Sequence, residues 1–364
     1  MPKRGENIYR RQDGRWEGRV KLPDSPKKKS FYGHSYREVK EKIFQYKQSP
    51  VPTKLKNDAF YQILDEWLKQ KQTMVKISTF NKYNNLIKNY VLPILGDLKV
   101  EDINSAKVNS MIALLLSDSE YSNGLSPKTI RDVCMIIKSS LKFASALYSI
   151  SVNPLELYIP PAPQKEVHAL SLGEQKALEK WLLTDLDLRK LGILICLYTG
   201  LRIGEICALK WENVNLDSGT IFICSTIQRV QIFDDSNRKT KILESPPKTQ
   251  CSIRTIPIPK SLCLIMKQYD LADEQAYILT GSKGKFIEPR LYEYIFEKYV
   301  NEAGIPYVNF HVLRHTFATR CVELNFDVKS LSEILGHATT KITLDRYVHP
   351  SIESKRNQMD RLSF

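Results

Sequence analysis

The sequence predicts a multidomain protein: a small α+β module at residues 1–50, an all-helical bundle at 55–150 and a larger, mainly helical domain at 168–364. Three observations support this division. Short strand-like runs separated by turn residues open the chain, apolar residues at helical spacing follow, and a Pro-rich stretch without periodicity at 151–166 predicts an extended linker. At roughly 100–200 residues per domain, 364 residues accommodate two or three domains.

The first part predicts a small sheet with one helix. The runs IYRR, RWEGRVKL and SFYG have strand character, and Asp13-Gly14 and the segment PDSPKKK separate them. A helix follows, because Ser35 and Glu38 have capping-box spacing. Residues 1–50 hold 14 basic and 6 acidic side chains, interleaved with aromatics. Disordered tails are poor in aromatics, so this pattern favours a folded module that binds a polyanion.

The second part predicts a compact helical bundle. Apolar residues recur at helical intervals around residues 60–67, 83–90 and 104–116. The fourth helix is the clearest, because Ser126 is placed to cap it and a proline takes its first position. Exposed lysines on this helix are candidate phosphate contacts, although surface lysines also serve solubility: Lys128, Lys138 and Lys142.

Composition narrows the class of protein. The chain has 54 Lys and Arg against 40 Asp and Glu, a net charge of +14, which again favours a polyanionic partner. Its seven cysteines form no CxxC pair, which is typical of reduced thiols in a cytosol rather than of a disulfide framework or a zinc site. The N-terminus shows no signal peptide, and the longest apolar run, LGILICLY, is too short to span a bilayer. We therefore expect a cytoplasmic protein with no membrane partner.

The third part carries four separated segments with candidate chemistry. In YTGLRIGEICALKW, Arg202 lies between two glycines in a turn that enters a helix. In PPKTQCSIRTIPI, Lys248 lies in a Pro-flanked turn ahead of a β-like run. Lys239 and Lys241 lie nearby and are alternatives, but Lys248 directly precedes the SIRTIPI strand.

The other two segments lie closer to the C-terminus. FHVLRHTFATRCV holds His311 and Arg314 one helical turn apart, so both side chains face the same way. ILGHATTKITLDRYVHP holds His337 and Tyr347. The HVLRH run also has the His spacing of a metalloprotease, but Val312 occupies the position of the required Glu, so metal binding is set aside. Each segment alone is a weak indication of function. The combination of all four segments in one order and one domain is a specific one.

This order of motifs resembles the tyrosine recombinase family, the phage-type integrases, and looks most like the integrases of temperate phages and conjugative transposons. TGLRIGE, the KT…S.RTIPI run, H.LRHTFAT and LGH…T..RY match the family's succession of Arg, Lys, HxxR, His or Trp, and Tyr. The bundle resembles the family's core-binding domain, and the first module resembles its three-stranded arm-binding domain. The resemblance implies the tyrosine recombinase fold, with a small antiparallel sheet in the catalytic domain.

The resemblance also implies a site-specific recombinase that inserts and excises a mobile element. Phosphodiester cleavage by a protein needs a nucleophile, positive charge on the phosphate and a proton for the leaving group. Tyr347 would be the nucleophile, since a phenol with a reference pKa of about 10 is a better nucleophile near neutrality than a Ser hydroxyl. Arg202 and Arg314 would clamp the phosphate, and Lys248 would protonate the departing 5′ oxygen.

Three further residues complete the expected site. His311 and His337 would hydrogen-bond the phosphate or help to move the Tyr347 proton, and the sequence leaves open which does which. Glu205, one turn after Arg202, would orient the cluster without touching DNA. The expected product is a 3′-phosphotyrosine with a free 5′ hydroxyl, which stores the bond energy, so we expect no ATP, cofactor or metal.

The expected partners are double-stranded DNA attachment sites of core and arm type, three further copies of the chain in a tetramer on DNA, and an excisionase or a host DNA-bending protein. Such a protein would act at the bacterial nucleoid. The arm-type contacts are expected from the basic and aromatic residues of the first module: Arg10, Arg11, Arg15, Trp16, Arg19, Lys27, Lys28 and Lys29.

Three other functions compete with this interpretation. A type IB topoisomerase shares the chemistry but relaxes one strand without exchange, and the separate N-terminal module argues against it. A non-catalytic DNA-binding protein on the same fold would lack the Tyr or an Arg, and both are present. A metal-dependent transposase needs a carboxylate triad, which no segment suggests.

Overall fold

The computed structural model describes residues 7–21, 28–48, 59–119, 122–161, 168–231, 240–247, 250–269, 273–348, 355–356, 359–360 and 362. The chain forms two compact units, Met1–Ala162 and Pro163–Phe364. The predicted fold class is confirmed, because the described residues are mainly helical with small antiparallel sheets.

The first unit begins with a three-stranded antiparallel sheet and one helix. Its elements are β1 Ile8–Arg10, β2 Trp16–Lys21, β3 Lys28–Gly33 and α1 Tyr36–Gln48. A Cβ on Gly18 would lie 2.6 Å from Val39 Cγ1, so α1 packs directly on the middle strand. Half of the predicted capping box forms: Ser35 accepts from the Glu38 amide, but the Glu38 carboxylate accepts from the His34 amide.

A helical bundle follows in the same unit. Its elements are α2 Phe60–Met74, α3 Ile77–Leu86, α4 Leu92–Leu95, α5 Ser105–Leu116, β4 Asp118–Ser119, β5 Ser122–Asn123 and α6 Pro127–Tyr148. A π-helical turn joins α3 to α4. Ser126 caps α6 as predicted, accepting from the Thr129 amide at 3.2 Å. The hairpin β4–β5 was not predicted, because two-residue strands are too short to show a period.

The Pro-rich stretch is extended over its described part, 151–161, and it packs on the bundle. Three alternate residues in it pack against the core of the bundle: Leu155, Leu157 and Ile159. On α5, the Asn109 side chain donates to the Glu156 carbonyl at 2.9 Å and accepts from the Tyr158 amide at 3.0 Å. The segment is extended, but its apolar alternation at a period of two fixes it to the bundle.

The second unit holds the remaining helices and two small sheets. Its elements are α7 Leu172–Leu183, α8 Leu188–Thr199, α9 Ile203–Ala208, β6 Val214–Asn215, β7 Thr220–Ile223, β8 Thr226–Gln231, β9 Thr240–Ser245, β10 Arg254–Pro257, α10 Lys260–Met266, α11 Pro289–Glu302, α12 His311–Glu323, α13 Val328–Leu335 and α14 Thr340–Tyr347. One sheet has the order β10-β7-β6, and β8 pairs with β9.

The core of this unit surrounds α8, whose side chains are buried along most of its length. A Cβ on Gly204 would lie 2.5 Å from Thr226 Oγ1 and 2.7 Å from the Ile227 carbonyl, so α9 packs tightly on β8. This contact fixes Arg202, which occupies the N-cap position of α9 and whose amide donates to the Glu205 carboxylate. None of the described helices combines the length and the apolar character needed to span a bilayer.

Candidate active site

Three arginines meet at the C-terminal end of α13. Arg254 Nε donates to the carbonyl of residue 334 at 2.6 Å, Arg314 Nη2 to that of residue 335 at 2.7 Å, and Arg202 Nη2 to that of residue 336 at 3.2 Å. The last carbonyls of a helix lack intrahelical partners and form the negative end of its dipole. Three consecutive carbonyls therefore gather guanidinium groups from the residue before α9, from β10 and from α12.

Gly336 ends α13 in a left-handed conformation, with a φ of +64°. A Cβ there would lie 3.1 Å from Arg254 Cδ and from the Cys251 carbonyl. Glycine is therefore favoured twice, by the backbone angle and by the close approach of Arg254. The turn directs the chain into His337.

Glu205 joins two of the three arginines. Its carboxylate accepts from Arg254 at 2.9 and 3.1 Å, from Arg202 Nη1 at 2.8 Å and from the Arg202 amide at 3.0 Å. The side chain is only 3% exposed. Burial alone would raise the pKa of Glu205, but hydrogen bonds from Arg254 and the charges of Arg254 and Arg202 outweigh it and lower the pKa. Three cations thus face one carboxylate, and the cluster keeps an excess of positive charge.

Arg314 is the most deeply buried of the three, at 2% exposure. Its Nη1 donates to the Gly200 carbonyl at 2.9 Å, where Gly200 ends α8 with a φ of +66°. Burial and the neighbouring charge of Arg202 lower the pKa of Arg314 to about 9. An anion beside this guanidinium would relieve both effects, so the site favours an anion.

Tyr347 is the last residue of α14, and its ring is 8% exposed. It packs against α12 and α13 through Ala318, Cys321 and Leu331. Its hydroxyl is 2.8 Å from His315 Nδ1. Burial raises the pKa of Tyr347, while the charges of Arg314 and Arg346, together with a side-chain hydrogen bond from Arg346, oppose that rise.

His337 lies beside the nucleophile candidate. Its ring is parallel to that of Tyr347 at 6.5 Å between centroids, and its Nδ1 is 2.8 Å from Thr343 Oγ1. Burial and the charges of Arg314 and Arg202 lower the pKa of His337 to about 3. The imidazole is therefore neutral near pH 7.

His311 lies in the first turn of α12 and contacts His315 edge-on, with the centroids 4.6 Å apart. The structure brings Arg202, Arg314, His337 and Tyr347 around the end of α13. His311 lies close enough to the same cluster that burial and the charges of Arg314, Arg346 and Arg202 lower its pKa to about 4. His315 and Arg254 were missed as site residues by the sequence analysis. The HVLRH run contained a signal for His315, since residues four apart share a helix face.

Lys248 and its alternative Lys239 lie outside the described residues, so their positions stay predictions. Lys241 lies on β9, opposite Val230, and is exposed. Among the residues that the structure describes, no group of three or more His, Cys, Asp and Glu side chains could hold a metal ion.

The predicted DNA contacts of the first module divide between its two sheet faces. On the face away from α1, Arg11 and Arg19 both bond to Glu17, at 2.9 and 2.7 Å. Tyr9 and Tyr32 lie under these two guanidiniums. The cross-strand register places Lys28 on the same face and Arg10, Trp16 and Lys29 on the helix side.

The face of the sheet away from α1 is its open face. Trp16 packs against Tyr36 of α1 at 5.6 Å between centroids, so it supports the module from inside and does not lie on the open face. Arg15 lies in the β1–β2 turn and pairs with Asp13 at 2.8 Å. Lys27 lies outside the described residues.

The predicted lysines of the bundle share one face of α6. Lys128, Lys138 and Lys142 are exposed, and Arg131 and Met135 lie between them at steps of three or four. Arg131 is held by the Pro160 carbonyl at 3.1 Å. The face is therefore basic with one apolar residue at its centre.

Both units of the chain are similar to known proteins. Residues 174–354 match the phage integrase family, and residues 59–113 match the N-terminal SAM-like domain of phage integrases. A tyrosine recombinase XerC-like protein of Caldanaerobacter subterraneus subsp. tengcongensis is 30% identical over 92% of this chain and 91% of that protein. The integrase of Staphylococcus phage L54a is 24% identical over 89% of this chain and 98% of that protein.

Solved structures share the fold. The Tn1549 transposon integrase in complex with transposon right end DNA has a TM-score of 0.67 at 20% identity, covering 84% of this chain and 99% of that one. A lambda integrase tetramer bound to a Holliday junction has a TM-score of 0.54 at 18% identity, covering 93% of this chain and 97% of that one.

Proposed function

The chain belongs to the phage integrase family, and on that premise we propose that it is a site-specific DNA recombinase that inserts and excises a mobile element. Tyr347 would attack DNA and form a 3′-phosphotyrosine. One observation carries this assignment: the end of α13 assembles Arg202 and Arg314 beside the ring of Tyr347. The tyrosine recombinase and integrase names of its relatives agree with this chemistry.

The arginine cluster supplies the positive charge that stabilises the transition state of phosphodiester cleavage. The charge of the transferring phosphorus group spreads over its non-bridging oxygens, and guanidinium donors fixed in advance stabilise it without reorganisation. Each guanidinium here is already held by a backbone carbonyl. The excess positive charge stays available because Glu205 neutralises only one arginine. We propose that Arg202 and Arg314 bind the phosphate and that His311 and His337 donate hydrogen bonds to it.

Covalent capture tests the function without knowledge of the attachment site. The protein would be incubated with nicked duplexes of random core sequence, so that a cleaved strand loses its short 5′-hydroxyl partner and cannot be rejoined. Protein-linked DNA would be sequenced and the modified peptide mapped. We expect one recurrent core sequence, attached at Tyr347. Recombinant product from two intact duplexes of that sequence would then separate a recombinase from a topoisomerase.

Lys248 is our candidate for the acid that protonates the 5′ oxygen. We expect Lys248→Ala to slow cleavage of the captured duplex by about a hundredfold or more, the usual contribution of a general acid. A 5′-thio leaving group needs no proton and should restore most of the rate. Equal slowness on the oxygen and sulfur substrates would contradict this role, and Lys239 and Lys241 would then be tested in the same way.

The first module is our candidate for the arm-type DNA contact. Its open face presents Arg11, Arg19 and Lys28, and Glu17 and the two tyrosines hold the arginines in place. A sheet of this size fits a major groove, where arginine pairs with guanine. We propose that this face binds a second, distal class of DNA site, and that the basic face of α6 contacts phosphates at the core site.

A pair of substitutions tests the open face. We expect Arg19→Ala to weaken binding to the distal site by about tenfold or more, as for one specific arginine contact. Arg10→Ala is the matched control, because Arg10 is an equally basic residue on the helix side of the sheet. Mobility shifts on distal and core duplexes at fixed salt would measure both. Equal losses from the two variants would exclude a face-specific contact.

Assembly follows from the reaction. Two duplexes cut on both strands require four active sites, and the lambda integrase relative was solved as a tetramer on a Holliday junction. We propose a homotetramer on DNA that acts at the bacterial nucleoid. An excisionase or a host DNA-bending protein would set direction, because a chemically reversible exchange needs an outside partner to favour one product.

A further inference from the structure

We propose that His315 is a further catalytic residue, which accepts the proton of Tyr347 during cleavage and returns it during rejoining. This role rests on the proposed function of Tyr347 as the nucleophile. Among the described side chains, His315 is the imidazole that bonds the Tyr347 hydroxyl, at 2.8 Å from Nδ1 to Oη.

The direction of this hydrogen bond depends on the tautomer of His315. Transfer of the phenol proton uses the tautomer that carries its proton on Nε2, because Nδ1 then accepts from the Tyr347 hydroxyl. The positive charges of Arg314 and Arg346 act to lower the pKa of the phenol, in the direction that favours loss of its proton. The arrangement is that of an activated nucleophile with its base in contact.

The surroundings keep His315 unprotonated in the free protein, and the same effects make it a weak base there. Burial lowers its pKa to about 4, and the positive charges of His311 when protonated and of Arg346 and Arg314 act in the same direction. His311 and Arg314 come from α12 itself, while Arg346 and Tyr347 face the ring from α14. A bound DNA phosphate would add negative charge beside the same arginines. It would therefore raise the affinity of His315 for a proton when the substrate is in place.

The other two histidines of the candidate site, His311 and His337, have different contacts. His337 Nδ1 is occupied by Thr343, and its ring lies parallel to that of Tyr347 instead of pointing at the hydroxyl. His311 contacts the ring of His315 edge-on. Both remain available to the phosphate, as proposed above, while His315 holds the reacting atom.

The proton and the electron pairs balance in both directions. In cleavage, Oη of Tyr347 forms a bond to phosphorus, the bond from phosphorus to the 5′ oxygen breaks, and the phenol proton moves to His315 Nδ1. The departing 5′ oxygen takes its proton from the general acid, proposed to be Lys248. In rejoining, the 5′ hydroxyl gives its proton back to the general acid and forms a bond to phosphorus, the bond from phosphorus to Oη of Tyr347 breaks, and His315 returns its proton to that oxygen.

Single-turnover cleavage of the captured suicide duplex tests this role. We expect His315→Gln, which keeps a hydrogen-bond acceptor but not a base, to be about a hundredfold or more slower than the unaltered protein. We expect His315→Ala to be equally slow and to be rescued by added imidazoles, with a rate that rises with the basicity of the imidazole. A 5′-thio leaving group should not rescue His315→Ala, whereas it should rescue Lys248→Ala.

His311→Ala is the matched control, one turn away on the same helix, and its rate should not respond to imidazole. Thermal unfolding and DNA binding of each variant show that the protein is folded and bound. A folded His315→Gln that cleaves at the unaltered rate would overturn the proposal, as would an Ala variant that no imidazole rescues. Absence of an adduct at Tyr347 in the unaltered protein would instead overturn the proposed function itself.

Discussion

Tyr347→Phe is expected to abolish covalent attachment to DNA while leaving DNA binding intact. The phenyl ring keeps the packing of Tyr347 against α12 and α13, so only the nucleophilic oxygen is lost. The lost hydrogen bond to His315 should cost about 1 kcal/mol of unfolding free energy, the usual net value for such a bond. Adduct formation on the suicide duplex, mobility shift and thermal unfolding measure the three properties.

A second tyrosine provides the control for this experiment. Tyr294 lies on α11 with 68% of its surface exposed, so Tyr294→Phe should form adduct at the unaltered rate. Covalent DNA that persists in Tyr347→Phe would show that another side chain attacks, and the assignment of the nucleophile would fail. Loss of binding together with loss of adduct would show that the substitution damages the fold.

The sequence predicts the elements of this fold well where one period dominates. The helix capped by Ser126 and the strand of the SIRTIPI run both form where the pattern places them. The hairpin β4–β5 carried no such pattern. The stretch 151–161 was interpreted as lacking a period, although Leu155, Leu157 and Ile159 alternate along it and pack on the bundle. Local periodicity fixes elements, while contacts between elements decide what covers them.

The candidate site shows the same limit. A motif with fixed spacing shows which residue types recur, and Arg202, Arg314 and Tyr347 could be named from it. Arg254 could not, because a β-strand arginine is ordinarily a surface residue, and only the fold turns it onto the end of α13. His315 was visible in the sequence, but its role depends on α14 bringing Tyr347 to Nδ1.

Glu205→Gln is expected to be among the most damaging single substitutions in the second unit. Glu205 and Arg254 form a buried ion pair, with side chains 3% and 6% exposed. Removing one partner leaves a buried charge uncompensated, which usually costs about 3–5 kcal/mol of unfolding free energy. Glutamine has one acceptor oxygen where the carboxylate has two, so Arg254 and Arg202 would compete for it. Chemical denaturation measures the loss.

The exposed pair of Lys298 and Glu302 offers a control, since Glu302→Gln should change stability by less than about 1 kcal/mol.

A double substitution separates the structural role of Glu205 from its role in cleavage. Adding Arg254→Met to Glu205→Gln removes the orphaned cation, and replacing a buried ion pair by neutral groups is often neutral or stabilising. We therefore expect the double variant to regain most of the lost stability. Cleavage should stay slow, because Arg202 still lacks the carboxylate that fixes its Nη1 and its backbone amide. If cleavage returned together with stability, Glu205 would serve folding alone, and the positioning of Arg202 would depend on the carbonyl of Gly336.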